Sequence, residues 1–414
     1  MKQVSVTLST YTADVSGVCS ALYELGGMVV IHDPSGCNST YNTHDEPRWY
    51  EMDSLVFISG LSQMDAIMGN DDKFLHDIVQ AAKELQPRFI ALVRTPIPLM
   101  TGTDFEGISR VIEKQTGIPV FYFPTSGMHT YVKGAGMAME TIAKELVPAG
   151  GESVKERKNK QKNPLKINIL GATPLDFSIN STLDSIKEFL SRHFEIISTF
   201  AMGSSIEDIQ RAGEADVNLV ISSVGVLAAK VLEERFHTPY VIGTPIIGFE
   251  NVLAEKLIES AWTKKSQTAY FNVSQKAHKK DTANSTTIQN TEAVSNLKKI
   301  RSLTETIEKN KVSGNVYIIG ESVISQSLKA ALALRYGIEA TVICPLETEP
   351  EYTEKDVLLL SSEEDIKKAI TDADTVIADP IYKTICSEKV NFVAMPHEAY
   401  SGRIYRKEVC DLIH

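Results

Sequence analysis

Cysteine is scarce in this chain: there are five in 414 residues, Cys19, Cys37, Cys344, Cys386 and Cys410, and none between Cys37 and Cys344. Thiols so few and so scattered build no disulfide framework. Without a CxxC pair they build no self-contained zinc site or ferredoxin-type cluster either. An apolar run approaching the roughly 20 residues that span a bilayer is also missing. The opening "MKQVSVTLSTYTADVSG" has neither a long apolar core nor a small-residue cleavage site, so no membrane association and a cytoplasmic location are expected. Positive charge is in deficit. With 42 Lys and Arg against 53 Asp and Glu, the formal net charge is −11, and the chain lacks the basic face with which a general nucleic-acid binder displaces counterions. No GxxxxGK[ST] loop occurs, so the chain is not expected to hydrolyse ATP itself, and no GxGxxG follows an apolar run, which argues against a nicotinamide cofactor.

What is present is a regular alternation. Apolar, β-rich runs recur at "MVVIH" (28–32), "SLVFISG" (54–60), "RFIALVRT" (88–95), "IPVFYFPT" (118–125), "KINILGA" (166–172), "VNLVISS" (217–223), "PYVIGTP" (239–245), "NVYIIGES" (315–322), "ATVICP" (340–345), "TVIADP" (375–380) and "NFVAMP" (391–396). Between them lie segments of helical spacing such as "DKFLHDIVQAAKELQP". Strands apolar on both faces and separated by helices belong to parallel sheets covered on both sides, so the class is α/β. The basic, Gly-led stretch "AGGESVKERKNKQKNPLK" (149–166) reads as a linker. A second polar stretch, 264–290, leads into "TEAVSNLKKIRSLTETIEKN" (291–310), whose spacing is helical as far as Gly314. The expected plan is a first α/β domain at 1–150, a basic linker at 151–164, a second, Rossmann-like domain at 165–262, a polar linker and helix at 263–312, and a third domain at 313–414. In such folds ligands bind beyond the carboxyl ends of the strands, and the residues just after each strand are the candidates for chemistry.

Three stretches of the first domain, in order, are "HDPSGC" (32–37), "FISG" (57–60) and "TPIPLMTGTD" (95–104). Together they resemble the "HGPxGC" loop, "FGG" strand and "TxCxxxxIGDD" turn of the catalytic-component family of nitrogenase and nitrogenase-like reductases (nitrogenase component 1), which includes the dark-operative protochlorophyllide reductase and the nickel-sirohydrochlorin cyclase. The similarity runs on through "STFAMGSSIEDIQRAGEADVNLVISS" and "NVYIIGESVISQSLKAALALRYGIEATVI". The fold this implies is three Rossmann-like domains with mainly parallel sheets.

The resemblance also implies an iron–sulfur cluster, of the 4Fe-4S kind, held at the interface of two subunits by cysteines from three places in the first domain. Here Cys37 stands at one place, Tyr11 or Thr12 at another and Pro96 at the third. One thiolate cannot hold a four-iron cluster, which takes about four. Completion would come from a second component 1-like subunit, in a homo- or hetero-oligomer (dimer or tetramer). Alternatively, two copies of Cys37 would meet across a twofold axis. The plain alternative is a small buried thiol. In the loop, Pro34 fixes the approach, while His32 and Gly36 flank the site. Gly36 lets the backbone pass close to a bulky sulfide, and Asp33, where the family pattern has Gly, adds an anion.

Further candidates follow other strands. "PTSGMHTYVKG" places Ser126, Gly127 and His129 just after the fourth strand, at the turn that faces the cluster in the family. In "MPHEAYSGRIY", His397 resembles the nitrogenase cofactor histidine but stands one residue nearer to Tyr400, and Arg403 suits a carboxylate-bearing substrate such as a tetrapyrrole. A loop His that caps a helix and a solvated Arg are the alternatives. The loop 42–53 concentrates His44, Asp45, Glu46, Arg48 and Trp49, as either a contact surface or a solvated loop. Cys19, Cys344, Cys386 and Cys410 read as core or incidental. The missing mid-chain cysteine argues against dinitrogen reduction. The expected function is a subunit of a two-component reductase, an oxidoreductase that receives low-potential electrons from a nitrogenase-reductase-like iron–sulfur ATPase and reduces a bound small molecule or tetrapyrrole. The alternative is a scaffold for metallocofactor assembly or a metal-free partner subunit.

Overall fold

A computed structural model describes residues 5–9, 11–36, 38, 46–149, 164–273 and 301–414. Cys37, His44, Asp45, nearly all of the expected linker 151–164 and most of the stretch 264–300 lie outside the described residues. The fold is α/β with parallel sheets, and no helix among the described residues is long and apolar enough to cross a membrane. The chain divides into two compact units, one of residues 11–179 and 194–240, the other of 1–10, 180–193 and 241–414.

The first unit contains the first sheet. Its strands are β1 (Met28–His32), β2 (Leu55–Ile58), β3 (Ile90–Arg94) and β4 (Val120–Phe123), in the order β2-β1-β3-β4 and all parallel. Every residue of β1 is buried, as its position inside the sheet requires. Side chains alternate along a strand, so Met28 and Val30 of β1 and Ile90 and Leu92 of β3 share one face. There they pack under Phe74, Ile78 and Ala82 of the helix Asp72–Leu85 and Phe105, Ile108 and Ile112 of the helix Phe105–Thr116. The spacing of those six residues is helical, which is why the sequence pattern was readable.

The helices Asp14–Leu22 and Tyr131–Thr141 touch backbone to backbone. A β-carbon on Gly134 would lie 1.9 Å from the Asp14 carbonyl oxygen, and one on Gly17 would lie 2.3 Å from that of Tyr131. Only glycine permits such an approach. The same unit holds β5 (Leu165–Leu170), β6 (Phe194–Thr199) and β7 (Val217–Val220), again parallel with β5 between the other two. β6 is absent from the apolar runs read in the sequence: with Glu195 exposed, it is not apolar on both faces. Across these strands the buried Asn168 donates to Asn218 at 2.8 Å and accepts from Ser198 at 2.8 Å.

In the second unit β8 (Tyr240–Ile242) pairs with β9 (Gln267–Thr268) through Val241 and Ile242. The last sheet has the order β12-β11-β10-β13-β14, from β10 (Val316–Ile319), β11 (Ala340–Cys344), β12 (Leu358–Leu359), β13 (Thr375–Ala378) and β14 (Asn391–Ala394), all parallel. The helical spacing read over 291–310 is realised, among described residues, at Leu303–Lys309. Asp411, near the end of the chain, accepts from the Ser181 and Ser185 hydroxyls at 2.6 and 2.7 Å, which holds the helix Thr182–Ser191 in this unit. Glu363 accepts from the amides of Val6, Thr7 and Leu8 at 2.7, 2.7 and 2.9 Å, and these bonds hold its carboxyl down at about 2.

Gly134→Ala is expected to destabilise the chain by about 1–3 kcal/mol or more, because the crossing helices must separate. Urea unfolding checks this through a lower midpoint at unchanged slope.

Candidate functional site at the strand ends of the first sheet

The carboxyl ends of β1 to β4 bring most of the first-domain candidates together. His32, the last residue of β1, is 2% exposed, and its Nδ1 lies 2.8 Å from Ser59 Oγ at the end of β2. Its ring stacks on Phe74 at 3.9 Å and meets Phe105 edge-on at 5.7 Å. Burial in this apolar bracket lowers its pKa from 6.5 to about 4, so the imidazole is neutral at pH 7. His32 Nε2 has no hydrogen-bond partner, and the residue lines a cavity of about 20 Å³ with Ser59, Asp65, Lys73 and Asp77 among others. That is room for one water.

Asp33 is 2% exposed. Its Oδ1 accepts from Thr95 Oγ1 at 2.6 Å, its Oδ2 accepts from Asn38 Nδ2 at 2.8 Å, and its amide donates to Ser59 Oγ at 3.2 Å. The carboxylate therefore does not face an open site as a loose anion: it is spent on the residues around it. Gly36 is exposed on the turn that follows.

The turn after β4 is also closed by a carboxylate. Asp14, fully buried, accepts from the amides of Ser126 at 3.0 Å and Gly127 at 2.8 Å. These two amides, expected to face a cofactor, are taken up within the chain. Thr12 O accepts from Tyr131 N at 2.8 Å, and a β-carbon on Gly127 would sit 3.3 Å from Pro96 Cγ, so the places held by Thr12 and Pro96 adjoin this turn. His129 is exposed. Its carbonyl accepts from Asp14 N at 3.0 Å.

The described cysteines offer no reactive thiolate. Cys19 is fully buried and burial drives its thiol far up; the same cause pushes Cys344 up to about 12 and Cys386 up to about 11, and raises Cys410. Among the described residues no cluster of three His, Cys, Asp or Glu side chains has metal-site geometry. Pro96 offers no side-chain ligand atom, so the described residues alone do not fit a four-iron cluster; Cys37 lies outside them.

The solvated-loop reading fails for Glu46 and Arg48. Arg48, 4% exposed, donates to Glu46 at 2.6 Å, to Glu24 at 2.8 Å and to the Ser20 carbonyl at 2.7 Å, and stacks on Tyr23 at 4.7 Å. The arrangement is a buried ion-pair triad that anchors the chain between β1 and β2.

Around the strand ends the surface is apolar. The helix Gln63–Met68, which follows β2, has no buried residue and exposes Met64, Ile67 and Met68. It packs on the helix Pro96–Thr101, which follows β3 and exposes Leu99 and Met100; Met128 is 83% exposed. Exposed apolar surface is where soluble proteins tend to meet partners.

In the other unit, His397 begins the helix Glu398–Ser401. Its Nδ1 accepts from Ala399 N at 3.3 Å, its amide donates to Asp379 Oδ2 at 2.8 Å, and its ring stacks on Tyr400 at 4.6 Å. With Gly320, Glu321 and Asp379 it borders a cavity of about 30 Å³ at the ends of β10 and β13, where the strand order reverses. The helix-capping alternative thus describes what His397 does in this structure. Arg403 is exposed.

A family model for nitrogenase component 1 type oxidoreductases matches residues 16–379. The chain belongs to that family. Among its relatives are the nitrogenase molybdenum–iron protein alpha chain of Methanothermobacter thermautotrophicus, 26% identical over 229 residues covering 51% of this chain and 46% of the relative, and the iron–molybdenum cofactor biosynthesis protein NifE of Clostridium pasteurianum, 24% identical over 246 residues covering 56% and 51%. A third is a light-independent protochlorophyllide reductase subunit from Nostoc punctiforme, 23% identical over 181 residues covering 43% and 35%. The matches span about half or less of these relatives. Nitrogenase component 1 architecture is evident in a solved structure of nitrogenase Cp1 at pH 6.5, which superposes with a TM-score of 0.60 at 14% identity over 97% of this chain and 86% of that one. The family thus contains both reductase subunits and cofactor-assembly proteins.

Two outcomes test the burial of His32 and the Arg48 ion pairs in this component 1 family member. Because the folded state lowers the His32 pKa, the unfolded chain binds more protons between pH 6.5 and 4, and stability is lost as pH falls through that window. His32→Phe should flatten that part of the stability-against-pH curve, by an amount on the order of 3 kcal/mol. Arg48→Ala leaves Glu24 and Glu46 buried without their cation and should cost about 3–5 kcal/mol in urea unfolding.

Proposed function

We propose that this chain is one subunit of a nitrogenase-like two-component reductase, an oxidoreductase that acts only in company. A separate homodimeric iron–sulfur ATPase supplies low-potential electrons, and a second component 1-like subunit, identical or not, completes a metal site beside Cys37. A bound 4Fe-4S cluster would supply an electron relay at that place. The substrate is a small molecule or tetrapyrrole, with His397 and Arg403 as its candidate contacts and His129 near the metal. The single observation that carries the reading is the donor count at the first strand ends. One cysteine stands in the loop after β1, while Pro96 and the amides of Ser126 and Gly127 have nothing left to give.

The exposed methionine-rich surface of the helices Gln63–Met68 and Pro96–Thr101 supports the need for a partner, since a flexible apolar face at the rim of an incomplete site suits a second protein. The three-domain division read from the sequence, with linkers at 151–164 and 263–312, is part of the same proposal. A second reading, a scaffold for metallocofactor assembly, draws support from relatives that are cofactor biosynthesis proteins.

Anaerobic purification, alone and with candidate partner subunits, followed by iron and sulfide analysis, tests the metal site. Iron is expected in at least one combination and should be lost in Cys37→Ser; a chain free of iron in every combination overturns the reading. ATP-dependent reductive turnover in the presence of the ATPase then separates the reductase from the scaffold.

A further inference from the structure

We infer that His397 meets its ligand as a hydrogen-bond donor through Nε2–H and is not a metal ligand, so that the group bound at the strand ends of the last sheet is an acceptor atom of an organic substrate, such as a carbonyl oxygen. That a substrate binds there rests on the proposed function; the position of the proton is a property of the chain alone.

A backbone amide can only donate. Ala399 N donates to His397 Nδ1 at 3.3 Å, so Nδ1 must present its lone pair. A neutral imidazole carries one proton, and with Nδ1 accepting, that proton stands on Nε2. The His32 ring gives no such answer, because its Nδ1 faces Ser59 Oγ, a hydroxyl that either donates or accepts. Moving the proton of His397 to Nδ1 would set two N–H groups against each other and strand the amide of Ala399, a residue 1% exposed and so shielded from water.

Metal ligation takes a ring nitrogen whose lone pair is free. In His397 the Nδ1 pair is given to the backbone and Nε2 carries the proton, so the ring binds a metal only by breaking its own helix cap. Its surroundings oppose that change. The ring stacks on Tyr400 at 4.6 Å, and the His397 amide donates to Asp379 Oδ2 at 2.8 Å. The neighbouring carboxylates are committed as well. Asp379 also accepts from Ser401 Oγ at 2.7 Å and Ile381 N at 3.0 Å, and Glu321 accepts from Ile324 N at 2.8 Å. Among the described residues no three His, Cys, Asp or Glu side chains gather with metal-site geometry. His397, Glu321 and Asp379 line a cavity of about 30 Å³ just beyond β10 and β13, which is room for one water or the tip of a larger molecule. A metallocofactor scaffold would lose a histidine ligand here, whereas an organic substrate gains a donor held in place.

Nitrogen-15 NMR of the full chain, labelled at histidine, reads the proton position directly. The His397 signals are those lost in His397→Asn, a variant expected to fold because asparagine is a preferred residue at a helix cap; His397→Gln serves for the assignment too. At about pH 8.5, above the ordinary histidine value of about 6.5, wild-type His397 is expected to hold Nε2–H over Nδ1–H by about tenfold or more. Exposed His76 is the reference for a solvated ring, which averages over both forms. Zinc ion alone, equimolar with the chain, is expected to leave the His397 signals where they are. A proton on Nδ1, a ring that averages as His76 does, or a zinc-induced shift at His397 each overturns the inference.

Turnover with the ATPase is measured apart from this. Absence of turnover with the Nε2–H form intact removes the substrate and leaves His397 excluded as a metal ligand. Turnover with an Nδ1–H ring keeps the proposed function and overturns the donor.

Discussion

A parallel sheet ends, on its carboxyl side, in backbone groups that the ladder no longer pairs and that water does not reach when helices cover the sheet. Every one of them must find a partner nearby. In this protein the buried Asp14 carboxylate and the Ser59 and Thr95 hydroxyls meet that demand at the first sheet, and the Asp33 carboxylate holds the side chains beside them. Asp14 takes the amides of Ser126 and Gly127, Asp33 takes the Thr95 hydroxyl and the Asn38 amide, and Ser59 takes the Asp33 amide and faces the His32 ring. The position of each candidate residue after β1, β3 and β4 depends on these bonds. They also decide what those residues can still do, because an amide that serves a carboxylate is not available to a ligand.

The same accounting separates structural from functional polarity. Arg48, Glu24 and Glu46 look like a reactive cluster by composition, yet the one guanidinium is taken up by the two carboxylates and the Ser20 carbonyl, and the triad anchors a loop. Burial pushes the described thiols up, away from the thiolate form. Among the described residues, what remains open at the first strand ends is small: an unpartnered imidazole nitrogen on a histidine that lines a water-sized cavity, an exposed glycine turn, and a rim of methionines. An arrangement so economical fits a family whose members include both reductase subunits and assembly proteins.

Much of the fold was legible because the physics is local. Strands buried on both faces must be apolar at consecutive positions, and the helices over them must be apolar at helical spacing, so β1, β3, β10 and β13 and the helix Asp72–Leu85 stand out in the text of the chain. β6 escaped because Glu195 is exposed; β9 and β12, with two residues each, are too short to show a period. The allocation of the helix Thr182–Ser191 to the unit that contains the C-terminus was not legible. It rests on the bonds of Ser181 and Ser185 to Asp411, residues more than two hundred positions away.

By itself the sequence determined the α/β class, the place of Cys37 just after the first apolar run and the scarcity of other cysteines, because residue types and their spacing along the chain are all that those conclusions need. Tertiary structure alone decided that Asp14 and Asp33 are spent on neighbouring backbone and side chains, that His32 is buried and neutral, and that Glu46 and Arg48 lie inside. The physical reason is that hydrogen-bond partners and solvent exposure are set by which strand ends come to lie side by side. That order, β2-β1-β3-β4, is written in no single stretch of the chain.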